Sequence, residues 1–333
     1  MIWLLLMAAS LMAGRLFHWP RRVVWTLIGV LWLMGLGMAV AAGDPRGWLL
    51  IGGVLALVLG YRAVLVRLHR KAAPTIPAPT IPEAEIDRYA RHIILRELGG
   101  PGQAALKRAR ALVVGAGGLG APVLLYLAAA GVGRITVADD DRVSLSNLQR
   151  QVIFATRDEG RPKAQAARDA MLALNPHVAV TALERRIGAD DVDLIAAHDL
   201  VIDGTDTFAA RQAVNAACTA AGVPLIAGAI AQWEGQLTIW DPARDAPCMA
   251  CLFPDAPAAG LAPSCAEAGV VGPLPGVLGS MMALEAIKLI AGTGTPLRGQ
   301  MLIFDGLYGE SRSVKIRRRV DCPVCGSGHS RLG

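Results

Sequence analysis

Charged residues are missing from two long stretches near the start of the sequence. No charge occurs between Val23 and Ala42, and the stretch from Trp48 to Val66 is apolar except for Tyr61 and Arg62 near its end. A basic segment is also lacking ahead of the apolar residues 1–14, and this absence argues against a cleaved signal peptide.

Each of the two apolar stretches is long enough to cross a hydrocarbon core of about 30 Å as a helix. The short turn GDPRG lies between them, so residues 23–42 and 48–66 are expected to form a transmembrane hairpin. We therefore predict a membrane anchor over residues 1–73, in which residues 1–14 are a candidate third span or an interfacial helix. A buried helical pair in a soluble core is the alternative.

Basic residues flank the predicted hairpin on its two outer sides. They are Arg15, Arg21 and Arg22 before it, and Arg62, Arg67, Arg70 and Lys71 after it. By the positive-inside rule both flanks lie in the cytoplasm. The sequence thus predicts a protein of the cell (inner) membrane whose remaining chain is cytoplasmic.

The rest of the chain has no excess of basic residues. The whole sequence has 33 Lys and Arg against 27 Asp and Glu, and residues 1–73 take eight basic residues and one Asp of these. The remainder therefore has a net charge of −1, which argues against a nucleic-acid-binding surface. A Pro-rich linker, residues 74–85, is expected to lead into a soluble domain over residues 86–333.

A glycine-rich segment follows a short apolar strand at Ala111–Val114. The sequence GAGGLG places Gly115, Gly117 and Gly120 between that strand and an Ala- and Leu-rich helical stretch, an order typical of phosphate-binding βαβ units. A second apolar strand ends at Asp139, whose carboxylate could accept hydrogen bonds from a ribose. A nicotinamide or flavin oxidoreductase and a ligand-free glycine turn remain open at this point.

Polar and basic residues follow Asp139 closely and narrow the class of nucleotide. Asn147, Arg150 and Lys163 are too polar and basic for a hydride-transfer pocket. They suit a triphosphate, because Arg offers a planar fork and Lys a point charge to phosphate oxygens.

Two acids, Asp203 and Asp206, come at the end of a further apolar strand in HDLVIDGTD. The carboxyl ends of parallel strands face the ligand crevice of such sheets. Asp206 could instead cap a helix that begins near Thr207.

The sequence has only six cysteines, and four of them form two C-x-x-C pairs. The pairs are Cys248 with Cys251 and Cys322 with Cys325, which together supply four ligands for a tetrahedral structural zinc ion. About 70 residues separate the pairs, so the fold must bring them together. Cys218 is expected in the core, and Cys265 stands alone in a stretch rich in Pro and Gly.

The motifs GAGGLG, DDDRVSLSNLQRQ and GRPK together resemble the ThiF/MoeB/HesA family, the ubiquitin-activating-type adenylyltransferases of sulfur-carrier proteins. The similarity runs from about Ile86 to Gly326. It implies an α/β, Rossmann-like fold with a largely parallel sheet, antiparallel C-terminal strands and a zinc site of four cysteines. It also implies ATP-dependent adenylation of the C-terminal glycine of a small ubiquitin-like carrier ending in Gly-Gly, with release of pyrophosphate.

The resemblance also implies roles for individual residues. It assigns the nucleotide to Gly115, Gly117, Gly118, Gly120, Asp139, Asp141, Asn147, Arg150, Lys163 and Asp206. Asp206 would also bind Mg²⁺. Residues 87–98, DRYARHIILREL, have the pattern of a helix with a polar face, and Arg91 in this helix would reach the partner's nucleotide phosphates in a homodimer. His92 stands where the family usually has Gln, and Thr207 where it commonly has Asn.

The loop cysteine, Cys265, matches a family position near the tail of the carrier. Some relatives use this cysteine in sulfur transfer or in a covalent intermediate, and a small buried side chain is the alternative. Adenylation itself does not need the thiol. Because no rhodanese-like domain follows Cys325, sulfur is expected to come from a separate protein.

The identity of the carrier is left open by the sequence. The molybdopterin-synthase type is favoured by overall similarity, and the thiazole-pathway carrier is the alternative. Two further alternatives are a related enzyme that activates a carboxylate on transfer RNA, and a non-catalytic membrane-anchored scaffold.

Overall fold

The structure, a computed structural model, describes residues 21–72, 83–256 and 269–326 and divides the chain into two compact units. The first unit is Met1–Pro77 and the second is Ala78–Gly333. The candidate third span, most of the predicted linker and Cys265 lie outside the described residues.

Two helices form the described part of the first unit, α1 (Arg21–Ala41) and α2 (Arg46–Ala72). Their contact is built from two Trp–Gly pairs. A Cβ added to Gly52 would lie 2.4 Å from the Trp32 ring, and one added to Gly35 would lie 2.7 Å from the Trp48 ring. In each helix, therefore, a glycine makes room for an indole ring of the other helix.

Two helices of the described residues have the length and composition to cross a membrane. They are Arg46–Leu65, with a mean hydropathy of 2.0 and nothing buried, and Pro273–Ala291, with 1.5 and 44% buried. The second is a core helix of the second unit, because it packs against the sheet and two other helices. The apolar part of α1, Thr26–Ala41, is shorter.

The second unit is a mixed sheet covered by helices. Its strands are β1 (Arg110–Val114), β2 (Arg134–Ala138), β3 (Ala179–Leu183), β4 (Leu200–Asp203), β5 (Leu225–Ala231), β6 (Glu234–Trp240), β7 (Gln300–Asp305) and β8 (Glu310–Lys315). Its helices are α3 (Glu83–Ile93), α4 (Gly99–Arg108), α5 (Gly120–Ala130), α6 (Lys163–Leu174), α7 (Val192–Ala196), α8 (Phe208–Ala221), α9 (Met249–Leu252) and α10 (Pro273–Ala291).

The sheet has the strand order β3-β2-β1-β4-β5-β6-β7-β8. Strands β1 to β5 pair in parallel, and β6, β7 and β8 continue the sheet in antiparallel pairs. This confirms the predicted α/β class with antiparallel C-terminal strands. Fully buried side chains on both faces of β1 and β4 explain why these strands read as continuous apolar runs.

Helix α3 differs from its predicted extent of Asp87–Leu98. It begins at Glu83 and ends at Ile93, so the expected C-terminal end was wrong by five residues. The last turn tightens, since Leu95 N–H bonds the carbonyl of His92, and Leu98 and Gly99 then close a turn on Leu95. The chain needs this bend because α4 starts at Gly99.

Candidate active site

The glycine-rich turn joins β1 to α5 with almost no free space. Gly115 has a φ of +92°, and a Cβ on Gly120 would lie 1.9 Å from the Gly115 carbonyl oxygen. A Cβ on Gly118 would lie 3.1 Å from Pro275. Packing therefore explains these three glycines, whereas in the part of the chain that the structure describes a Cβ on Gly117 would meet only Gln151, at 3.8 Å.

Asp139 links the end of β2 to this turn. Its Oδ2 accepts a hydrogen bond of 2.7 Å from Ala116 N–H, and its Oδ1 accepts one of 2.8 Å from Asp141 N–H. Burial raises the pKa of the Asp139 carboxyl, and the two N–H groups and Lys163 oppose that rise. Each carboxylate oxygen keeps a lone pair for one more donor.

Lys163 is the first residue of α6 and is only 5% exposed. Its Nζ lies 2.8 Å from Asp141 Oδ2, and its backbone N–H bonds the Asp141 carbonyl. A buried ammonium group is rare unless it is paired or meets an anionic ligand. The turn and α6 thus hold a positive charge beside Asp139.

Arg150 lies against the same turn, since its Cδ would be 3.7 Å from a Cβ on Gly118. One guanidinium nitrogen donates to Asn147 Oδ1 at 3.0 Å, and the other donates to the Ser146 carbonyl at 3.3 Å. Asn147 therefore orients the guanidinium group over the glycine turn.

Asp203 and Asp206 follow β4 but have different surroundings. Asp203 is buried, which raises its pKa, and its carboxylate accepts from Thr205 N–H. Asp206 is exposed and has no hydrogen-bond partner among the described side chains. The idea that Asp206 caps α8 is wrong, because Thr207 is the cap and accepts from Ala210 N–H at 3.3 Å.

One charged residue at this edge of the sheet escaped the sequence analysis. Arg186 forms an ion pair of 2.8 Å with Asp140, the middle acid of the DDD segment. The carboxylates of Asp139, Asp140 and Asp141 also come within 4.8 Å of one another. Arg186 stands in no motif, and only the fold places it here.

Arg91 lies on an exposed face of α3, with no hydrogen-bond or ion-pair partner in the part of the chain that the structure describes. It is not in the turn region of its own chain described above. The residues that are gathered around the glycine turn are Asp139, Asp141, Asn147, Arg150 and Lys163.

The four paired cysteines meet in one buried cluster. Their Sγ atoms are free thiols with separations of 3.9 Å (Cys248–Cys251), 3.6 Å (Cys248–Cys322) and 3.4 Å (Cys251–Cys325). A tetrahedral zinc ion with sulfur at about 2.3 Å requires sulfur–sulfur edges of about 3.8 Å. The donor set and its spacing fit zinc, while Cys218 is buried in the core as predicted.

The surroundings of the cluster favour the thiolate form of one of its four cysteines, Cys322. Burial opposes ionisation of Cys322, but hydrogen bonds from the backbone N–H groups of Cys325 and Val324 lower its pKa to about 7. Burial raises the pKa of Cys248. A divalent cation would lower the pKa of all four thiols.

Comparison with known proteins places this geometry in a family. The ThiF family model matches residues 89–324. The sulfur carrier protein adenylyltransferase of Thermus thermophilus is 49% identical over 247 residues, which cover 73% of this chain and 91% of that protein. The molybdopterin-synthase adenylyltransferase of Escherichia coli is 46% identical over 250 residues, or 73% of this chain and 98% of that protein.

A solved structure shows the same fold at lower identity. The crystal structure of Escherichia coli MccB superposes with a TM-score of 0.63 at 23% identity, and covers 72% of this chain and 72% of that one. The predicted family resemblance is confirmed by these matches: the chain belongs to the ThiF family.

Proposed function

We propose that this protein is an ATP-dependent adenylyltransferase that activates the C-terminal glycine of a small ubiquitin-like sulfur-carrier protein. The observation that carries the proposal is the buried Lys163 beside a glycine turn, in a chain 46–49% identical to named adenylyltransferases of such carriers. The molybdopterin-synthase type of carrier is our first candidate. The thiazole-pathway carrier is the second, because the Escherichia coli ThiS adenylyltransferase is 45% identical.

The reaction needs charge neutralisation and positioning more than a protein nucleophile. The carrier's carboxylate oxygen attacks the α-phosphorus of ATP, the bond to the β-phosphate oxygen breaks, and pyrophosphate leaves. Lys163 and Arg150 offset the charge that develops on the phosphates, with N–H groups of the glycine turn beside them. Asp139 accepts hydrogen bonds from the ribose hydroxyls with its two remaining lone pairs.

Asp206 is the residue that would hold Mg²⁺ in this proposal. Its carboxylate is exposed beyond β4, close enough to Arg186 and Asp203 to interact with their charges. A bound Mg²⁺ would neutralise phosphate charge, and it needs only one or two carboxylates besides phosphate oxygens and water. Asp206 supplies one such ligand without losing a hydrogen bond to any of the described residues.

The choice of carrier is decided by a direct experiment. The purified protein is mixed with ATP and each candidate carrier, and the acyl adenylate is sought by mass spectrometry. The carrier whose tail gains the mass of AMP is the substrate, and a carrier thiocarboxylate appears only when a separate sulfur donor protein is added.

Replacing Asp206 by Ala is expected to lower carrier-dependent ATP–pyrophosphate exchange at least about 100-fold, because a charge-stabilising group is lost. The melting temperature should stay the same, since the side chain is exposed and unbonded within the described residues. The matched control is Asp190→Ala, another exposed acid, which should keep full exchange. Retained exchange in Asp206→Ala would remove this residue from the mechanism.

A homodimer in which Arg91 serves the partner's site is also proposed. Large apolar side chains are exposed next to both parts of that arrangement: Ile94 (69% exposed) and Leu95 beside Arg91, and Leu145 and Val152 (63%) beside Arg150. Exposed apolar residues grouped in this way are typical of protein interfaces. The two groups would be covered together if α3 of one subunit lay over the loop of the other.

We further propose that α1 and α2 anchor the protein in the cell membrane with the second unit in the cytoplasm. Large apolar side chains such as Leu33, Leu50 and Leu57 are exposed along both helices, and lipid is their natural surroundings. The full chain should stay in the membrane fraction after a carbonate wash, whereas residues 78–333 should be soluble. Proteolysis of intact spheroplasts should spare the second unit, and its digestion would reverse the orientation.

A further inference from the structure

Two buried amide side chains hold the inner face of α3, the helix that carries Arg91, against the rest of the second unit. Elsewhere α3 is held by the ion pair of Glu85 with Lys107 and by Arg88, which donates to the Leu174 carbonyl at 3.0 Å. Tyr89 and His92 lie three residues apart on this face, while Arg91 is exposed. The Tyr89 hydroxyl contacts the side chain of Asn175, and His92 Nδ1 contacts that of Gln103. Both amide side chains are completely buried. Neither amide belongs to a motif of the nucleotide site.

Gln103 determines which ring nitrogen of His92 has a proton. Its Nε2 donates to the Ala130 carbonyl at 2.8 Å, so its Oε1 must be the atom that faces His92 Nδ1 at 3.0 Å. An amide oxygen can only accept a hydrogen bond. His92 therefore has its proton on Nδ1 and donates to Gln103.

Asn175 makes the matching connection to Tyr89. Its Nδ2 donates to the Tyr89 hydroxyl at 2.8 Å and to the Ala128 carbonyl at 2.7 Å, which uses both of its N–H groups. The Tyr89 ring lies over Gly131, where a Cβ would be only 2.5 Å from it. A bulkier residue at position 131 would push α3 away.

Both receiving carbonyls, those of Ala128 and Ala130, lie in the last turn of α5. Its first residue is Gly120, in the glycine turn of the nucleotide site. An 11-residue helix is about 16 Å long and behaves as a stiff rod. The two amides thus connect the C-terminal end of the nucleotide-binding helix to the helix that carries Arg91.

We infer that Gln103 and Asn175 are positioning residues that set the placement of Arg91 through His92 and Tyr89. The inference rests on the proposed function, because Arg91 is taken to contact nucleotide phosphates. It also explains the departure at position 92. The Nδ1–H of His92 makes a hydrogen bond that the amide N–H of Gln, the usual family residue, would also make.

The test is a double-mutant cycle on ATP binding, which separates positioning from general stability. The double variant Tyr89→Phe/His92→Leu removes the hydrogen bonds of α3 to the two buried amides, leaves the amides in place and keeps the contacts of Arg88 and Glu85. The dissociation constant for α,β-methylene ATP is measured by titration calorimetry in the wild-type and Arg91→Ala backgrounds. Arg110→Gln, which breaks an ion pair with Asp199 at the other end of β1, is the control.

In the wild-type background the double variant should bind the analogue about tenfold more weakly, as expected for coupled residues. In the Arg91→Ala background it should bind no more than about twofold more weakly. His92→Gln alone should keep wild-type affinity, because the Gln amide can also donate to Gln103, and Arg110→Gln should not change it either.

Equal losses of affinity in both backgrounds, or no loss in either, would overturn the inference and leave the proposed function standing. A wild-type protein that does not bind the analogue at all would overturn both. Circular dichroism of each variant verifies that it is folded before its affinity is compared.

Discussion

The variant Lys163→Met should lose carrier-dependent ATP–pyrophosphate exchange by a factor of about 10² to 10³, the usual effect of removing one preorganised charge from a polar transition state. Methionine keeps the unbranched apolar part of the side chain and is one atom shorter, so packing at the start of α6 should survive. What disappears is the ammonium group 2.8 Å from Asp141, in a position where water is excluded. The measurement is the exchange rate at saturating carrier.

Lys288→Met is the matched control for this experiment. Lys288 is also an ion-paired helix residue, bonded to the buried Glu285 and to the Thr295 carbonyl, but it lies in the last turn of α10. Its replacement should lower the melting temperature and leave exchange unchanged. If Lys288→Met and Lys163→Met reduced exchange equally, the effect would be one of stability, and Lys163 would lose its assigned role.

Lys163→Met also tests whether Arg91 acts in the site of the partner subunit. When Lys163→Met and Arg91→Ala chains are mixed and allowed to exchange subunits, half of the dimers should be mixed. In each mixed dimer one of the two sites has both Lys163 and the partner's Arg91. Because half of the dimers are mixed, about one quarter of wild-type activity should return. No recovery would mean that Arg91 acts within its own chain, and an Arg91→Ala protein that is active by itself would mean that Arg91 acts in no site.

The nucleotide region was predictable from the sequence because its parts are local. The turn from Gly115 to Gly120, the strand that ends at Asp139 and the helix that starts at Lys163 each follow from short-range patterns of glycine and apolar residues. The backbone explains Gly120 fully, since no Cβ fits beside the Gly115 carbonyl. Gly117 has no such explanation among the described residues, and its assignment to a ligand stays a prediction.

The contacts that escaped the sequence analysis join distant segments. Arg186 reaches Asp140 across 46 residues, and Asn175 reaches Tyr89 across 86. Neither pair has a spacing that a helix or strand period would reveal. Isolated polar residues of this kind become informative only when the fold shows what they satisfy.

The end of α3 was misjudged for a related reason. The apolar pair Ile94 and Leu95 continues the helical pattern in sequence, but both side chains are exposed. Hydrophobic periodicity predicts that an apolar side chain is buried within its own unit. It cannot indicate that a second subunit would bury the side chain instead. The proposed dimer interface and the wrong helix boundary thus have one physical origin.

We expect the cluster of four cysteines to hold zinc, and loss of that zinc to release the C-terminal segment of the second unit. The four cysteines form a small cluster of their own, apart from the two large clusters that pack on the sheet. The described segment after β8 is otherwise held by Ile316, which packs in one of those large clusters, and by hydrogen bonds such as those of Arg318 to the Pro242 carbonyl and of Arg319 N–H to Cys251 Sγ. The metal would therefore supply much of the free energy that closes the part of the segment beyond Ile316.

Cys325→Ser should abolish the binding of one zinc ion per chain, measured by atomic absorption, and should lower the free energy of unfolding by several kcal/mol. Amide hydrogen exchange should become fast around residues 316–326 and along β8, while β1 and β4 stay protected. Cys218→Ala is the matched control, because Cys218 is an equally buried thiol outside the cluster. It should keep the zinc and cost only about 1 kcal/mol.

The zinc experiment also separates a structural metal from a catalytic one. No residue of the nucleotide site lies among the cluster residues Cys248, Ala250, Cys251, Cys322 and Cys325. Residual exchange activity in the zinc-free variant, measured at a temperature where β1 to β5 remain protected, should therefore exceed that of Lys163→Met. Complete loss of exchange with a protected nucleotide site would instead place the metal in the reaction.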